Sequence, residues 1–335
     1  AGLCPGSRSA CLGRGAFLSS HPLVRVHSLP PPLYLCPRLL RQPILPSMKP
    51  ELVPQGVPDR RRFVPWVDPR SIPVYFVLVI ITSLYCIYVL EHLLITEKPK
   101  ATSAWGWQGI GFHLLFLMVL YCFAQAALVL PGSIPNTEEW RVDTPPQDEG
   151  GLAASSKPKT VETKKDRNSR RKCKWCDKFK PDRCHHCRVC RTCVLRMDHH
   201  CPWIYNCVGF RNHKYFFLLL IYTVATLQWM TWTMWPTLSK NIESEVPFQS
   251  LFLTLFGTTL GGSMALLTTA FLCFHIYLMC GAMTTIEFCE KQGARGAKAN
   301  PHYRGVYANI CAVLGPNPLL WLLPFSMPSG DGLTF

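Results

Sequence analysis

Asp198, His199, His200 and Cys201 follow one another in the chain and put an acid, two imidazoles and a thiol within four residues. A thiol beside an imidazole can lose its proton at neutral pH, and a carboxylate can orient that imidazole and stabilise its charged form. The run therefore reads as a Cys-His-Asp nucleophile, with Cys201 as the attacking atom's owner. It lies in a segment, KCKWCDKFKPDRCHHCRVCRTCVLRMDHHCPWIYNCVGFRNHK from Lys172 to Lys214, that holds eight cysteines and five histidines. Cys173-x2-Cys176 and Cys187-x2-Cys190-x2-Cys193 have the spacing with which a tight turn grips a tetrahedral ion. Two closed zinc sites would use eight ligands and leave thiols and imidazoles over for chemistry. A purely zinc-stapled module for binding partners or nucleic acid is the alternative, and the acid-imidazole-thiol run argues against it.

These residues need something to position them, and the composition points to a membrane. The chain is 48% apolar with a mean hydropathy of +0.12, yet carries 35 Lys+Arg against 20 Asp+Glu, a net charge of +15. Four apolar runs, roughly Ile72 to Leu94, Ile110 to Leu130, Tyr215 to Trp235 and Leu251 to Cys280, are long enough to span about 30 Å of hydrocarbon. Pro131-Gly132 and Pro236 stand where the second and third should stop. Arg60, Arg61, Arg62 and Arg70 precede the first run, a strongly basic stretch separates the second from the third, and Lys291, Arg295, Lys298 and Arg304 follow the fourth. By the positive-inside rule both termini and the central loop are cytoplasmic. The basic excess is thus explained by membrane topology, and no nucleic acid is expected as a partner. Clustered cysteines in a cytoplasmic loop read as metal ligands in a reducing compartment rather than disulfides.

The expected fold is an α-helical integral membrane protein: four transmembrane helices with a cytoplasmic zinc-binding cysteine-rich domain between helices 2 and 3. Its parts are an N-terminal region 1–71, of which 1–47 is leader or disordered tail; helices 1 and 2 within 72–130; a linker 131–172; the cysteine-rich domain 173–214; helices 3 and 4 within 215–280; and a C-terminal segment 281–335. PLLWLLPF, from Pro318 to Phe325, is too short to cross and either lies along the interface or packs on the protein. A channel or transporter is disfavoured, because the runs hold little that ionises beyond His113 and His275, expected as packing residues.

The segment resembles the DHHC family of protein S-acyltransferases, the palmitoyltransferases: the Asp-His-His-Cys tetrad lies in a cysteine-rich frame and is followed by Pro202-Trp203 and Asn206-Cys207-Val208-Gly209. Thr284-Thr285-Ile286-Glu287 resembles the family's TTxE motif, and Tyr303 to Gly315 with Asn309 resembles its C-terminal motif. The resemblance implies one zinc on Cys173, Cys176, His186 and Cys193 and a second on Cys187, Cys190, His200 and Cys207. It leaves Asp198, His199 and Cys201 as the catalytic triad. It gives Thr284, Thr285, Glu287 and Asn309 supporting roles, Thr284 or Thr285 holding Asp198 and Asn309 tying the C-terminal segment to the helices. Cys184 departs from the pattern and is expected to be a spare thiol.

The implied reaction moves a long-chain acyl group from palmitoyl-CoA to Cys201 and then to cytoplasmic cysteines of substrate proteins, with two structural Zn²⁺ as cofactors. Trp203 and Phe216, beside the motif, are candidates to line the acyl chain. Arg188, Arg191, Arg196, Arg211 and Lys214 are candidates for the phosphates of CoA. The expected location is a multi-pass position in the endomembrane system: Golgi, endoplasmic reticulum or plasma membrane.

Overall fold

The computed structural model describes residues 69–96, 106–142, 170–291, 300–325, 328 and 330–335. The expected leader at 1–47, the arginines at 60–62, linker residues 143–169, and Arg295 and Lys298 lie outside the described residues.

Among the described residues, four helices are long and apolar enough to cross a membrane. They are α1 (Ile72–Ile87), which continues as a π-helical stretch over Tyr88–Thr96, α2 (Trp107–Leu128), α3 (His213–Glu243) and α4 (Phe248–Cys280). The apolar window of α3 is 44% buried, against 17–22% in the other three, so α3 is the central helix of the bundle. Large apolar residues stay exposed on the outer faces, Phe76 on α1, Leu114 on α2, Trp232 on α3 and Leu266 on α4 among them, as lipid-facing helices require. The innermost cluster joins Leu84 and Tyr88 to Phe112, Met230, Met234 and Ala265. At Gly257 a Cβ would stand 2.6 Å from the Ile87 side chain, so α4 approaches α1 there only because it carries no side chain.

Pro236 does not end the third helix, which continues to Glu243. Proline deletes one amide donor from the ladder, but the last turns remain anchored, with Asn241 Nδ2 donating to Thr254 Oγ1 of α4 at 3.2 Å. Other buried polar pairs tie the same end of the bundle. Tyr88 Oη meets Thr233 Oγ1 at 2.9 Å, His92 Nδ1 meets Thr237 Oγ1 at 2.8 Å, and Ser250 donates to Glu91 at 2.7 Å. A groove of about 390 Å³ between α1 and α4, lined by Cys86, Ile87, Leu90, Phe252, Leu253 and Phe256, opens at the bundle surface and includes none of Asp198, His199 or Cys201.

Among the described residues between α2 and α3 are three two-stranded antiparallel hairpins: β1 (Lys172–Cys173) with β2 (Lys178–Phe179), β3 (His185–Cys187) with β4 (Thr192–Val194), and β5 (His199–Cys201) with β6 (Asn206–Val208). Two asparagines seat the third hairpin on the end of α2, where helix geometry leaves carbonyls without partners. Asn206 Nδ2 donates to the Val129 and Ala126 carbonyls at 2.9 and 3.1 Å, and Asn212 Nδ2 donates to Cys207 at 2.8 Å and Ala126 at 3.2 Å. Gly209 lets the chain after β6 pass close to β4, since a Cβ there would meet Val194 Cγ1 at 2.6 Å.

After α4 come α5 (Thr285–Lys291) and α6 (Val306–Leu314). The Pro318 to Phe325 stretch follows α3 along its side: Lys214 Nζ donates to the Leu320 carbonyl at 2.8 Å and Tyr222 Oη to the Leu322 carbonyl at 2.5 Å. Leu319 and Phe325 remain exposed, so this stretch is both packed on α3 by its backbone and apolar on its outer side.

Candidate functional site: a thiol, an imidazole and a carboxylate between two metal-ligand clusters

The register of the hairpins explains how eight ligands assemble. His186 pairs with Cys193 across β3 and β4, and His200 pairs with Cys207 across β5 and β6. Each cross-strand His-Cys pair meets the C-x2-C turn of the preceding hairpin, giving the groups Cys173, Cys176, His186, Cys193 and Cys187, Cys190, His200, Cys207. His186 Nδ1 lies 3.3–3.8 Å from its three sulfurs, and His200 Nδ1 lies 3.5–3.7 Å from its own. Tetrahedral bonds of ~2.3 Å to sulfur and ~2.0 Å to nitrogen put those atoms roughly 3.5 Å apart, so both groups fit one tetrahedral ion each. The Cys190 amide donates to Cys187 Sγ at 3.3 Å, partly offsetting sulfur charge. Every described cysteine is free of disulfides. Cys184, fully buried, belongs to neither group and packs with Cys173 and Cys193.

Side chains alternate along a strand. In β5 this sends His199 and Cys201 to one face and His200, between them, to the other, where its Nδ1 meets the sulfurs. The two adjacent histidines are therefore separated by strand pleat. On the first face His199 Nδ1 lies 2.6 Å from Asp198 Oδ2, while the imidazole also interacts with the Cys201 thiol. Cys201 is buried in an apolar cluster with Ala126 of α2, Ile204, and Tyr215, Phe216 and Leu220 of α3.

Asp198 is 1% exposed and would be costly to bury without partners. Thr285 supplies two: its amide donates to Oδ1 at 3.0 Å and its hydroxyl to Oδ2 at 2.8 Å. Thr284 and Glu287 form a reciprocal cap at the start of α5, with the Thr284 amide on Glu287 Oε2 at 3.0 Å and the Glu287 amide on Thr284 Oγ1 at 3.2 Å. Glu287, also 1% exposed, takes both Nε and a terminal nitrogen of Arg183, at 2.7 and 2.8 Å. The Thr-Thr-Ile-Glu run thus fixes a short helix and aims its second threonine at Asp198. Asn309 Nδ2 donates to the Cys280 carbonyl at the end of α4, at 2.8 Å.

Burial works against charge on Asp198, but the hydrogen bond and positive charge of His199 outweigh it and hold the carboxyl well below the usual carboxylate range. Burial likewise works against a charged His199. The bond to Asp198 and the contact with Cys201 overcome it and push the imidazole up to about 10. An imidazolium held between a carboxylate and a thiol can stabilise a thiolate and return a proton to a leaving group.

A family model described as DHHC palmitoyltransferase matches residues 166–292, the stretch containing the hairpins, α3, α4 and the Thr-Thr-Ile-Glu run. Probable protein S-acyltransferase 15 of Arabidopsis thaliana is 36% identical over 245 residues, covering 70% of this chain and 90% of that protein. Palmitoyltransferase ZDHHC15 of Rattus norvegicus is 31% identical over 82% of this chain and 83% of its own length. The zebrafish (Danio rerio) palmitoyltransferase ZDHHC15A is 34% identical over 79% and 83%. The chain belongs to the DHHC palmitoyltransferase family. It is accordingly a protein S-acyltransferase, and with four membrane-crossing helices it is a multi-pass membrane protein.

Within this DHHC enzyme the residues picked from sequence separate in space. Phe216 is buried with its ring edge-on to His199 at 5.1 Å, whereas Trp203 is exposed and lies 6.3 Å from the ring of Phe76 on α1. Of the basic candidates, Arg188, Arg191 and Arg211 are exposed, and Arg196 and Lys214 are buried. His275, expected only to pack, stands 5.9 Å from the His199 ring. Ligand-capable atoms of Asp198, His213 and His275 lie within 4.8 Å of one another. Neither His213 nor His275 was singled out for the site from sequence, because one sits just past the cysteine frame and the other deep in an apolar run.

Proposed function

We propose that Cys201 is the acyl-accepting nucleophile, His199 its proton carrier and Asp198 the group that orients and charges His199. The observation that carries this reading is the shared face of β5, which joins His199 and Cys201 above Asp198 while turning His200 away. The Cys201 thiolate attacks the thioester carbonyl of palmitoyl-CoA; the carbon-sulfur bond to CoA breaks, and the departing thiolate takes the proton of His199. The product is an acyl-enzyme with a new thioester on Cys201. A substrate cysteine then gives its thiol proton to His199 and attacks that thioester, leaving the substrate acylated and Cys201 free.

Zn²⁺ is the ion that best suits two Cys3His sets, and with four protein ligands each it would cross-brace the hairpins. The apolar cluster around Cys201 favours an aliphatic chain, since each buried CH₂ gains about 0.8 kcal/mol. Phe216, against His199, suits the start of that chain better than the exposed Trp203. The basic residues outside the apolar runs favour a cytoplasmic hairpin region and cytoplasmic termini, so the donor is palmitoyl-CoA from the cytosol and the acceptors are cytoplasmic cysteines of proteins at an endomembrane or plasma membrane.

Cys201→Ser is expected to abolish incorporation of an alkyne-bearing palmitate analogue into both the enzyme and its substrates. Wild-type labelling of both by the variant would remove Cys201 from the role.

A further inference from the structure

We infer that the described residues build a second, non-catalytic binding site: a buried pocket for one phosphate-class oxyanion, clamped between the hairpins and the C-terminal segment. The pocket is a cavity of about 90 Å³ whose lining includes Arg183, Arg196, His302, Arg304 and Asn309, with residues of the Gly330 to Phe335 stretch closing one side. That volume suits one small tetrahedral anion, either free or as a single phosphate group of a larger molecule that stays outside. Among the described residues, no aspartate or glutamate side chain lines it.

Arg196 is the central observation. It is 5% exposed, one terminal nitrogen donates to the Ala312 carbonyl at 2.9 Å, and its buried Nε has no partner. A guanidinium does not shed its charge in a protein, so a buried one needs an anion or full hydrogen bonding. The carboxylates nearby are engaged elsewhere. Glu287 holds Arg183 in a bidentate pair, Asp198 is taken by His199 and Thr285, and Asp331 accepts from Leu333 and Thr334 of its own turn. Burial, and then the like charge of Arg183, disfavour the cation at Arg196, whereas an oxyanion in the cavity would offset both effects. Three arginines line this one small cavity, and Arg196 brings to it a buried nitrogen without a partner, a setting suited to an oxyanion.

The position gives such an anion a consequence. Arg183 and Arg196 come from the hairpin region, Arg196 two residues before Asp198, while Ala312 belongs to α6 and Glu287 to α5. An oxyanion held by Arg196 and Arg304 would therefore join the segment just before β5 to the segment that leads into α6. This site stands whether or not Cys201 is the nucleophile, because its readout is anion binding.

The test is equilibrium dialysis of radiolabelled orthophosphate against the zinc-loaded full chain in nanodiscs at fixed potassium chloride. The expected result is one saturable site per chain, displaced by unlabelled phosphate and by sulfate but not by added chloride. Arg196→Gln should lose it, and Arg304→Gln, at the exposed rim, should weaken it several-fold with zinc content unchanged. If Arg196→Gln fails to retain zinc, Arg304→Gln alone decides. Displacement by adenosine 3′,5′-bisphosphate would assign the site to a phosphate carried by the acyl donor, and lack of displacement would assign it to free phosphate. Absence of saturable binding, displacement by chloride, or unchanged affinity in Arg304→Gln would overturn the inference.

Discussion

The two ligand clusters have the same chemistry and nearly the same geometry, yet they stand differently toward Cys201. The group on Cys173, Cys176, His186 and Cys193 joins the first hairpin to the second and shares no strand with Cys201. The group on Cys187, Cys190, His200 and Cys207 takes a ligand from β5 itself, between His199 and Cys201, and another from the strand paired with it. A metal in the first cluster stiffens a support, whereas one in the second fixes the pleat that separates the two histidines. Identical ligand sets can thus serve one as scaffold and the other as part of the frame around His199 and Cys201.

The largest expected effect breaks that difference open. Cys207→Ser should lose one zinc and all measurable autoacylation, while His186→Ala should lose one zinc and keep a residual rate. Zinc per chain measured beside palmitate incorporation checks it, and equal activity losses would make the clusters equivalent.

Next comes the buried pair that holds α5 against the hairpins. Glu287→Gln leaves Arg183 buried without its counter-charge and should destabilise the protein by about 3–5 kcal/mol, read as a fall in thermal midpoint. Burial opposes charge on Glu287, but Arg183 outweighs it and lowers the carboxyl below its usual value. The pair's stabilisation is therefore present above the ordinary glutamate range, near pH ~4.3, and is lost as pH falls through the lowered value. A wild-type acid-unfolding curve should show this loss, and the Gln variant should lack it.

A smaller effect is expected at Thr285. Thr285→Val keeps the amide bond to Asp198 and removes only the hydroxyl. Losing one bond to a charged acceptor, about 1.5–3 kcal/mol, should slow autoacylation by roughly 10- to 100-fold if the loss falls on the transition state. Both zincs should remain. An unchanged rate would leave Thr285 as a packing residue.

The helical spans, the ligand-rich segment and the acid-imidazole-thiol run were legible because each is local: hydropathy over a helix length, C-x2-C spacing and four consecutive residues. The end of the third helix was not. Pro236 reads as a stop in one dimension, and only packing against α4, through Asn241 and Thr254, carries α3 past it. The roles of Thr284 and Thr285 were equally hidden, because adjacent threonines differ only once the helix cap is known. His275 looked like an apolar-run residue since nothing near it in sequence shows that α4 ends beside Asp198. Arg183 was not singled out and Arg196 was one of five basic candidates for the CoA phosphates; the burial of both depends on residues around α5 and α6, which arrive about a hundred residues later.

The separation of His199 from His200 by the pleat of β5 is tested most directly by zinc content and autoacylation in two single variants. His199→Ala should retain both zincs per chain and lose autoacylation, whereas His200→Ala should lose one zinc together with the activity. Equal zinc in the two variants would contradict the assignment of one histidine to chemistry and its neighbour to metal.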